Sequence, residues 1–315
     1  MKSVLSVVVR TLRHFFYNTP VKHWKVTQLI YAAVGRLMIG NDPYPIVQLE
    51  GMRLKANGQD VVVTAALANG NYEPFTIRIF RRLIEEALKK NENEACVFVD
   101  VGANIGLFTI TAALLNPRVQ VFAFEPNVTS YQLLEENLQL NGLTNVSAQQ
   151  AAVGEKKGRA SLDISSPQAG CHSICSSGAR RIEVDVICLD DLFLEKHMLP
   201  SIIKVDVEGY EPQVFHGMKS LPLQHEFQMI LEFNPGHLER GGEDPGAFLE
   251  ELVSQFDSIY CLDEIGQTVI PYVHGDAAVK EKIIGFGYNL LLVRGAKTGF
   301  LAGSSSSSGN QLKIS

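Results

Sequence analysis

The sequence predicts an α/β fold: a seven-stranded, mostly parallel sheet with helices on both faces, preceded by an N-terminal extension. Three observations predict it. From Ala95 onward, apolar runs of strand length alternate with helical spacing, the pattern of a parallel sheet wrapped by crossover helices. The first run, Cys96-Val97-Phe98-Val99-Asp100-Val101, leads directly into a turn punctuated by Gly102 and Gly106. The second, at 119–124, ends in Glu125-Pro126. A carboxylate on the second strand of such a sheet lies beside the first turn.

In chain order, strands are expected at 96–101, 119–124, 145–150, 201–206, 227–232, 257–262 and 289–294. Helices are expected at 106–115, 128–141, 210–218 and 245–255. Asn127 is placed to cap the helix at 128–141, with Tyr131, Leu134 and Leu138 toward the sheet and Gly142 just past its end. Residues 158–164 and 181–187 read as a hairpin pair inside an insertion at 158–188. Upstream, 75–90 has helical spacing with Ile79, Leu83 and Leu88 on one side. Residues 46–68 alternate as short strands, with Asn57-Gly58 as a hairpin signal. The expected organisation is an N-terminal arm at 1–43, an extension at 44–94, a catalytic domain at 95–296 and a Ser-rich tail at 297–315.

Bulk properties exclude several function classes. Hydrophobic residues make up 46% and charged residues 20%, as in a packed globular protein. A net charge of -6 gives no global field that would attract nucleic acid. Five irregularly spaced cysteines do not form a disulfide framework, so a reducing, cytoplasmic setting is expected. The first forty-one residues carry Lys2, Arg10, Arg13, Lys22, Lys25 and Arg36 and no acid, interleaved with Leu5, Val8, Leu12, Phe15, Phe16 and Trp24. Three readings of this arm stand: a peripheral helix on a membrane surface or against a lipid-bearing substrate, a helix packed on the domain with its basic residues exposed, or an organelle-targeting peptide.

The turn after the first strand carries the most chemistry. Its spacing is Gly102-x-x-x-Gly106, with Asn104 where a dinucleotide fingerprint would want its middle glycine. Glycines here would let the backbone approach a ligand. Asp100 at the strand end would repel a pyrophosphate and suits a cationic ligand instead. S-adenosylmethionine, with its ammonium and sulfonium, is such a ligand. Glu125, nineteen residues beyond Gly106, would accept both ribose hydroxyls of a nucleoside.

From about Tyr72 to Pro235 the chain resembles the FkbM-type S-adenosylmethionine-dependent methyltransferases. The marks are Tyr72-Glu73-Pro74, the run from Asp100 to Gly106, Phe124-Glu125-Pro126-Asn127, Ala151-Ala152-Val153-Gly154, Leu189-Asp190-Asp191-Leu192, Lys204-Val205-Asp206-Val207-Glu208-Gly209-Tyr210-Glu211 and Leu231-Glu232-Phe233. The resemblance implies a Rossmann-like class I methyltransferase fold, S-adenosylmethionine as cofactor, and O-methylation of a hydroxyl on a sugar, glycolipid or other small molecule. The expected cofactor-binding set is Asp100, Gly102, Asn104, Gly106, Glu125, Pro126 and Ala152. The arm, the insertion and the serine tail lie outside the resemblance.

Methyl transfer to a hydroxyl needs alignment and somewhere for the proton to go. Lys204, Asp206 and Glu208 end the fourth strand, where alternation would turn all three to one face. Asp206 is expected nearest the reacting centre, as base or as electrostatic partner of the sulfonium, with Glu208 and Lys204 beside it. The alternative for all three is a structural ion-pair network at a helix start. Glu232, on the next strand, would allow a divalent cation on Asp206, Glu208 and Glu232. No metal is assigned on that basis. His216 and His237 are the other candidate bases, and Cys171-His172-x-x-Cys175 lacks a second ligand pair for zinc. Two rival functions remain: a cofactor-binding protein without catalysis, and an NAD-linked oxidoreductase, which the missing third glycine disfavours.

Overall fold

The computed structural model describes residues 42–58, 72–90, 94–164, 173–174, 180–196, 198–220, 225–295 and 312–313. The basic arm at 1–41, Cys171, His172 and Cys175, and the serine run lie outside them. The described chain opens with an antiparallel hairpin, β1 (Ile46–Leu49) and β2 (Met52–Lys55). Its turn is Glu50-Gly51, at φ 47° and 89°, the left-handed pair that matches strand twist in a two-residue hairpin. The strand expected after the Asn57-Gly58 signal lies outside the described residues. The Gly58 N–H donates to the Pro43 carbonyl at 3.0 Å.

Helix α1 (Pro74–Lys90) buries Phe75, Ile79, Phe80, Leu83, Ile84 and Leu88 along one face. A residue far away in sequence caps its start. The two carboxylate oxygens of Glu264 accept from the Phe75 and Thr76 N–H groups at 2.8 and 3.0 Å. These are among the donors that a helix start leaves unpaired.

The main body follows as β3 (Cys96–Val101), α2 (Leu107–Leu115), β4 (Val119–Phe124), α3 (Val128–Leu140) and β5 (Val146–Gln149). Next come β6 (Ala152–Val153), β7 (Gly158–Asp163), β8 (Ser173–Ile174), β9 (Arg181–Ile187) and α4 (Leu189–Lys196). The chain then runs through β10 (Ile202–Val205), α5 (Glu211–His216), β11 (Phe227–Phe233), α6 (Pro235–Gly241) and α7 (Pro245–Gln255). It ends with β12 (Ser258–Asp263), β13 (Thr268–Tyr272), α8 (Ala277–Phe286), β14 (Tyr288–Arg294) and β15 (Leu312–Lys313).

The large sheet has the order β15-β13-β12-β14-β11-β10-β3-β4-β5. From β5 to β11 the strands are parallel, and β14 enters antiparallel between β11 and β12. All seven expected strands are present. Two more, β13 and β15, extend the β12 edge to nine. Pro271 within β13 masks that strand in the sequence, since proline is tolerated mainly at edges. The insertion's strands and β6, which precedes it, form a separate four-stranded sheet, in which β7 and β9 pair antiparallel as expected and β6 joins β9 in parallel.

Alternate residues of β3 feed two cores. Cys96 and Phe98 pack toward α1 and α2, while Val97, Val99 and Val101 pack with α4, α5, α7 and α8. Asn127 caps α3 by accepting from Thr129 and Ser130 N–H, and Leu134 packs on Ala103 and Ala123. The strand order reverses between β3 and β10, so the loops leaving their carboxyl ends part and open a crevice.

Candidate active site

The glycine turn forms one wall of that crevice. The Gly102 and Ala103 N–H groups both donate to the Phe124 carbonyl, fixing the turn to β4. Gly102, Asn104 and Gly106 have φ of 81°, 51° and 95°. The space over the two glycines is filled by the protein rather than left to a ligand. A Cβ on Gly102 would stand 1.9 Å from the Asp206 carbonyl oxygen, and one on Gly106 would stand 2.6 Å from Leu134 Cδ1. Their need for glycine is thus a packing requirement first, which alters the reason given by the sequence.

Glu125 stands where expected, beside this turn and just before Pro126. Its Oε2 accepts from Asn104 N–H at 2.8 Å and its Oε1 from Asn127 N–H at 2.9 Å. Burial pushes its carboxyl up to about 7, against these two bonds. The Asn104 Oδ1 atom beside it is buried with no hydrogen-bond partner. Asp100 is buried and accepts from Thr109 Oγ1 at 2.6 Å, and burial raises its pKa. Ala152 lies in β6, and its side chain packs with Leu162, Val184 and Val186 in the small sheet.

Opposite the turn, Lys204 and Asp206 leave β10 together. Lys204 sits beside Asp100 in the parallel register, is only 2% exposed, and donates to Asp206 Oδ2 at 2.7 Å. Its ammonium lies 4.6 Å from the centre of the Phe108 ring. Burial pulls its pKa down, but Asp206, Asp100 and Glu73 outweigh that and hold it charged. Burial likewise works against the Asp206 carboxylate, yet Lys204 and a hydrogen bond shared with Glu232 keep its pKa below the usual value.

Glu208 is brought to the site by a turn rather than by strand alternation, because β10 ends at Val205. Its φ is 57°, and Gly209 follows at 105°. Glu211 holds this turn by accepting from Val207 and Gly209 N–H at 3.1 and 3.3 Å. Glu208 Oε2 ends 2.7 Å from His237 Nδ1. Glu232, at the end of β11, has its pKa raised by burial and by Asp206, Glu208 and Glu211. His216 pairs with Glu251 at 3.1 Å instead.

One site residue was absent from the sequence assignment. Glu73, just before α1, is lifted to about 7 by burial and interacts with Lys204 and Asp206. Asn289 Nδ2 donates to it at 3.3 Å, and Asn289 faces Glu232 across β11 and β14. Its signal was the proline after it, which marks a helix start, but nothing local aims that start at the crevice.

The methyltransferase FkbM domain family matches residues 100–260. A hexuronic acid methyltransferase, AglP, of Haloferax volcanii is 32% identical over 160 residues, covering 50% of this chain and 62% of that protein. A protein called methyltransferase 1 from Beauveria bassiana is 26% identical over 142 residues, covering 38% of this chain and 57% of its own. The chain thus matches less than two thirds of the length of each of these relatives. Among solved structures, a methyltransferase FkbM from Methylobacillus flagellatus KT is similar at 18% identity and a TM-score of 0.39, over 63% of this chain and 43% of that one.

Proposed function

The chain belongs to the FkbM methyltransferase family, and from that premise we propose that it transfers the methyl group of S-adenosylmethionine to a hydroxyl of a sugar or other small hydroxylated acceptor. The observation that carries this reading is the charge balance of the crevice. Asp206, Asp100 and Glu73 surround the single ammonium of Lys204, so the buried cluster is short of positive charge. A cationic ligand corrects the deficit, and an anionic dinucleotide would enlarge it. Glu125 fits a ribose as well, since each oxygen holds one backbone N–H and retains lone pairs for a hydroxyl donor. Asn104 Oδ1, buried and unpartnered, offers a further acceptor.

S-adenosylmethionine supplies an electrophilic methyl on a positively charged sulfur. The protein has to align an acceptor oxygen with the carbon–sulfur bond, stabilise the sulfonium side and take up the hydroxyl proton. As the oxygen attacks, the carbon–sulfur bond breaks with its electron pair on sulfur. In this reading Asp206 acts electrostatically, because a carboxylate held below its usual pKa is a weak base. Glu73, at about 7, is better matched to accept a proton near neutrality. The sugar acceptor is supported by the hexuronic acid methyltransferase relative.

The test is calorimetric titration with S-adenosylmethionine, followed by transfer of a labelled methyl to uronic acids and neutral sugars. Saturable binding and label on a hydroxyl are expected. No binding at millimolar cofactor would overturn the reading, and label on nitrogen would overturn the hydroxyl acceptor.

A further inference from the structure

The geometry points to a divalent cation site formed by Glu208, Glu232 and His237 at the mouth of the crevice. One ligand atom from each lies within 4.8 Å of the others, a spread that a single ion can draw together. The set differs from the one the sequence suggested. Asp206 is tied to Lys204 at 2.7 Å, and His237, brought in by α6, takes its place.

Two observations besides clustering favour a cation here. First, His237 Nδ1 and Glu208 Oε2 are 2.7 Å apart, yet Nδ1 is buried and makes no aligned hydrogen bond to this or any other described residue. Two ligand atoms at right angles around an ion, each about 2.1 Å away, stand about 3 Å apart, so an unaligned pair at this distance resembles one edge of a coordination shell. Second, Glu232 Oε2 is also buried without a partner, although the residue lies among Asp206, Glu208 and Glu211. Glu232 shares a hydrogen bond with Asp206, so one of the two carboxyls carries a proton there, and a bound cation would take that proton's place.

The backbone is shaped around this arrangement. Glu208 takes a left-handed φ of 57°, and Gly209 must be glycine because a Cβ there would stand 2.4 Å from the His237 carbonyl oxygen. Asn234 caps α6 by accepting from His237 N–H at 3.3 Å, which fixes the start of the helix that carries the imidazole. Strain in a non-glycine residue persists where the surroundings enforce it, often at ligand sites.

Two carboxylates and one imidazole suit manganese or zinc better than magnesium, which prefers oxygen ligands. Three protein ligands leave positions open. The role given to the ion rests on the methyl-transfer reading: an acceptor hydroxyl bound at an open position would lose its proton more readily.

Binding of the ion is tested without cofactor or acceptor. Mn2+ is titrated into the full chain, and the free ion is followed by its electron paramagnetic resonance signal. One tightly held Mn2+ per chain is expected, displaced by Zn2+. Glu232→Gln and His237→Asn should each weaken binding by at least tenfold, while Glu251→Gln, outside the cluster, should not. Circular dichroism melts establish that the variants are folded, and the isosteric Glu232→Gln serves if His237→Asn is not. An unchanged free Mn2+ signal in the wild type overturns the site, as does full binding in folded Glu232→Gln. Failure of the methyl-transfer reading appears separately, as absence of S-adenosylmethionine binding in calorimetry with the Mn2+ still held.

Discussion

The carbonyl oxygen of Asp206 occupies the place that a side chain on residue 102 would need, 1.9 Å from the position of a Cβ there. The glycine turn on β3 and the polar end of β10 are therefore one packed unit. A change in either displaces the other.

Gly102→Ala should accordingly damage both stability and ligand binding. The left-handed φ of 81° adds about 1–2 kcal/mol of strain for any side chain, and overpacking against a backbone carbonyl adds about 1–3 kcal/mol. The melting temperature should fall by several degrees, and S-adenosylmethionine affinity should fall at a temperature where the variant is folded. An alanine variant with wild-type melting and affinity would show that the two strand ends move independently.

Lys204 and Asp206 should respond differently to substitution. Lys204→Met leaves Asp100, Asp206 and Glu73 without their shared cation, and breaking a buried pair in this way costs about 3–5 kcal/mol. Asp206→Asn leaves Asp100 and Glu73 to balance Lys204, so the domain should stay folded while methyl transfer slows by about a hundredfold or more. Equilibrium denaturation of both variants, with initial rates for the second, checks the contrast. Unfolding of Asp206→Asn together with Lys204→Met would assign the pair a purely structural role.

Stability of the ligand-free chain should decline as pH rises from about 4.5 to 7. Burial lifts Glu73 and Glu125 from 4.5 to about 7, so within that window the folded state holds protons that the unfolded state has released. The stabilisation is present below 4.5 and lost as pH rises through 7, on the order of a few kcal/mol for the two groups together. Glu73→Gln should make the profile shallower, since it carries no titration while Glu125 and Glu211 still do. A cationic cofactor should raise the melting temperature more at pH 8 than at pH 5. Melting curves across pH, with and without S-adenosylmethionine, decide it, and a flat wild-type profile would contradict the buried-acid picture.

The sequence revealed the parts of the site that local patterns control. β3 and β4 are mostly apolar runs, broken only by Asp100 and Gln120 and bounded by turn residues, so their ends, with Asp100 and Glu125, were legible. Lys204 and Asp206 followed from alternation at the end of β10. Glu208 was expected from the same alternation, but its direction comes from a left-handed turn rather than a strand. Glu73 was not legible as a site residue, and His237, expected only as a candidate base, was not legible as a partner of Glu208, because each sits at the start of a helix whose aim is set by tertiary packing. For α1 that packing includes the cap from Glu264, far along the chain. The hairpin turn at Glu50-Gly51 was not legible because glutamate rarely takes a left-handed conformation.

Asn137 should be the most sensitive tie between the N-terminal hairpin and the cofactor turn. It is fully buried on α3, where its Oδ1 accepts from Lys55 N–H at 2.6 Å and its Nδ2 donates to the carbonyls of Lys55 and Ile105, both at 2.9 Å. The amide thus continues the β2 ladder on one side and holds the glycine turn on the other. One helical turn later, Asn141 repeats the pairing with Arg53 at 2.9 and 2.7 Å, but in an exposed position. Asn137→Leu removes the partners of a buried N–H and two carbonyls, so a loss of about 2–4 kcal/mol is expected, against about 1 kcal/mol or less for Asn141→Ala. Urea denaturation measures the difference. Hydrogen exchange at the Lys55 amide should accelerate in Asn137→Leu well before global unfolding, and S-adenosylmethionine affinity should drop as the Ile105 carbonyl is released. If the leucine variant keeps both its urea midpoint and the protection of that amide, the hairpin is held by its apolar contacts alone, through Val47, Leu49, Met52 and Leu54.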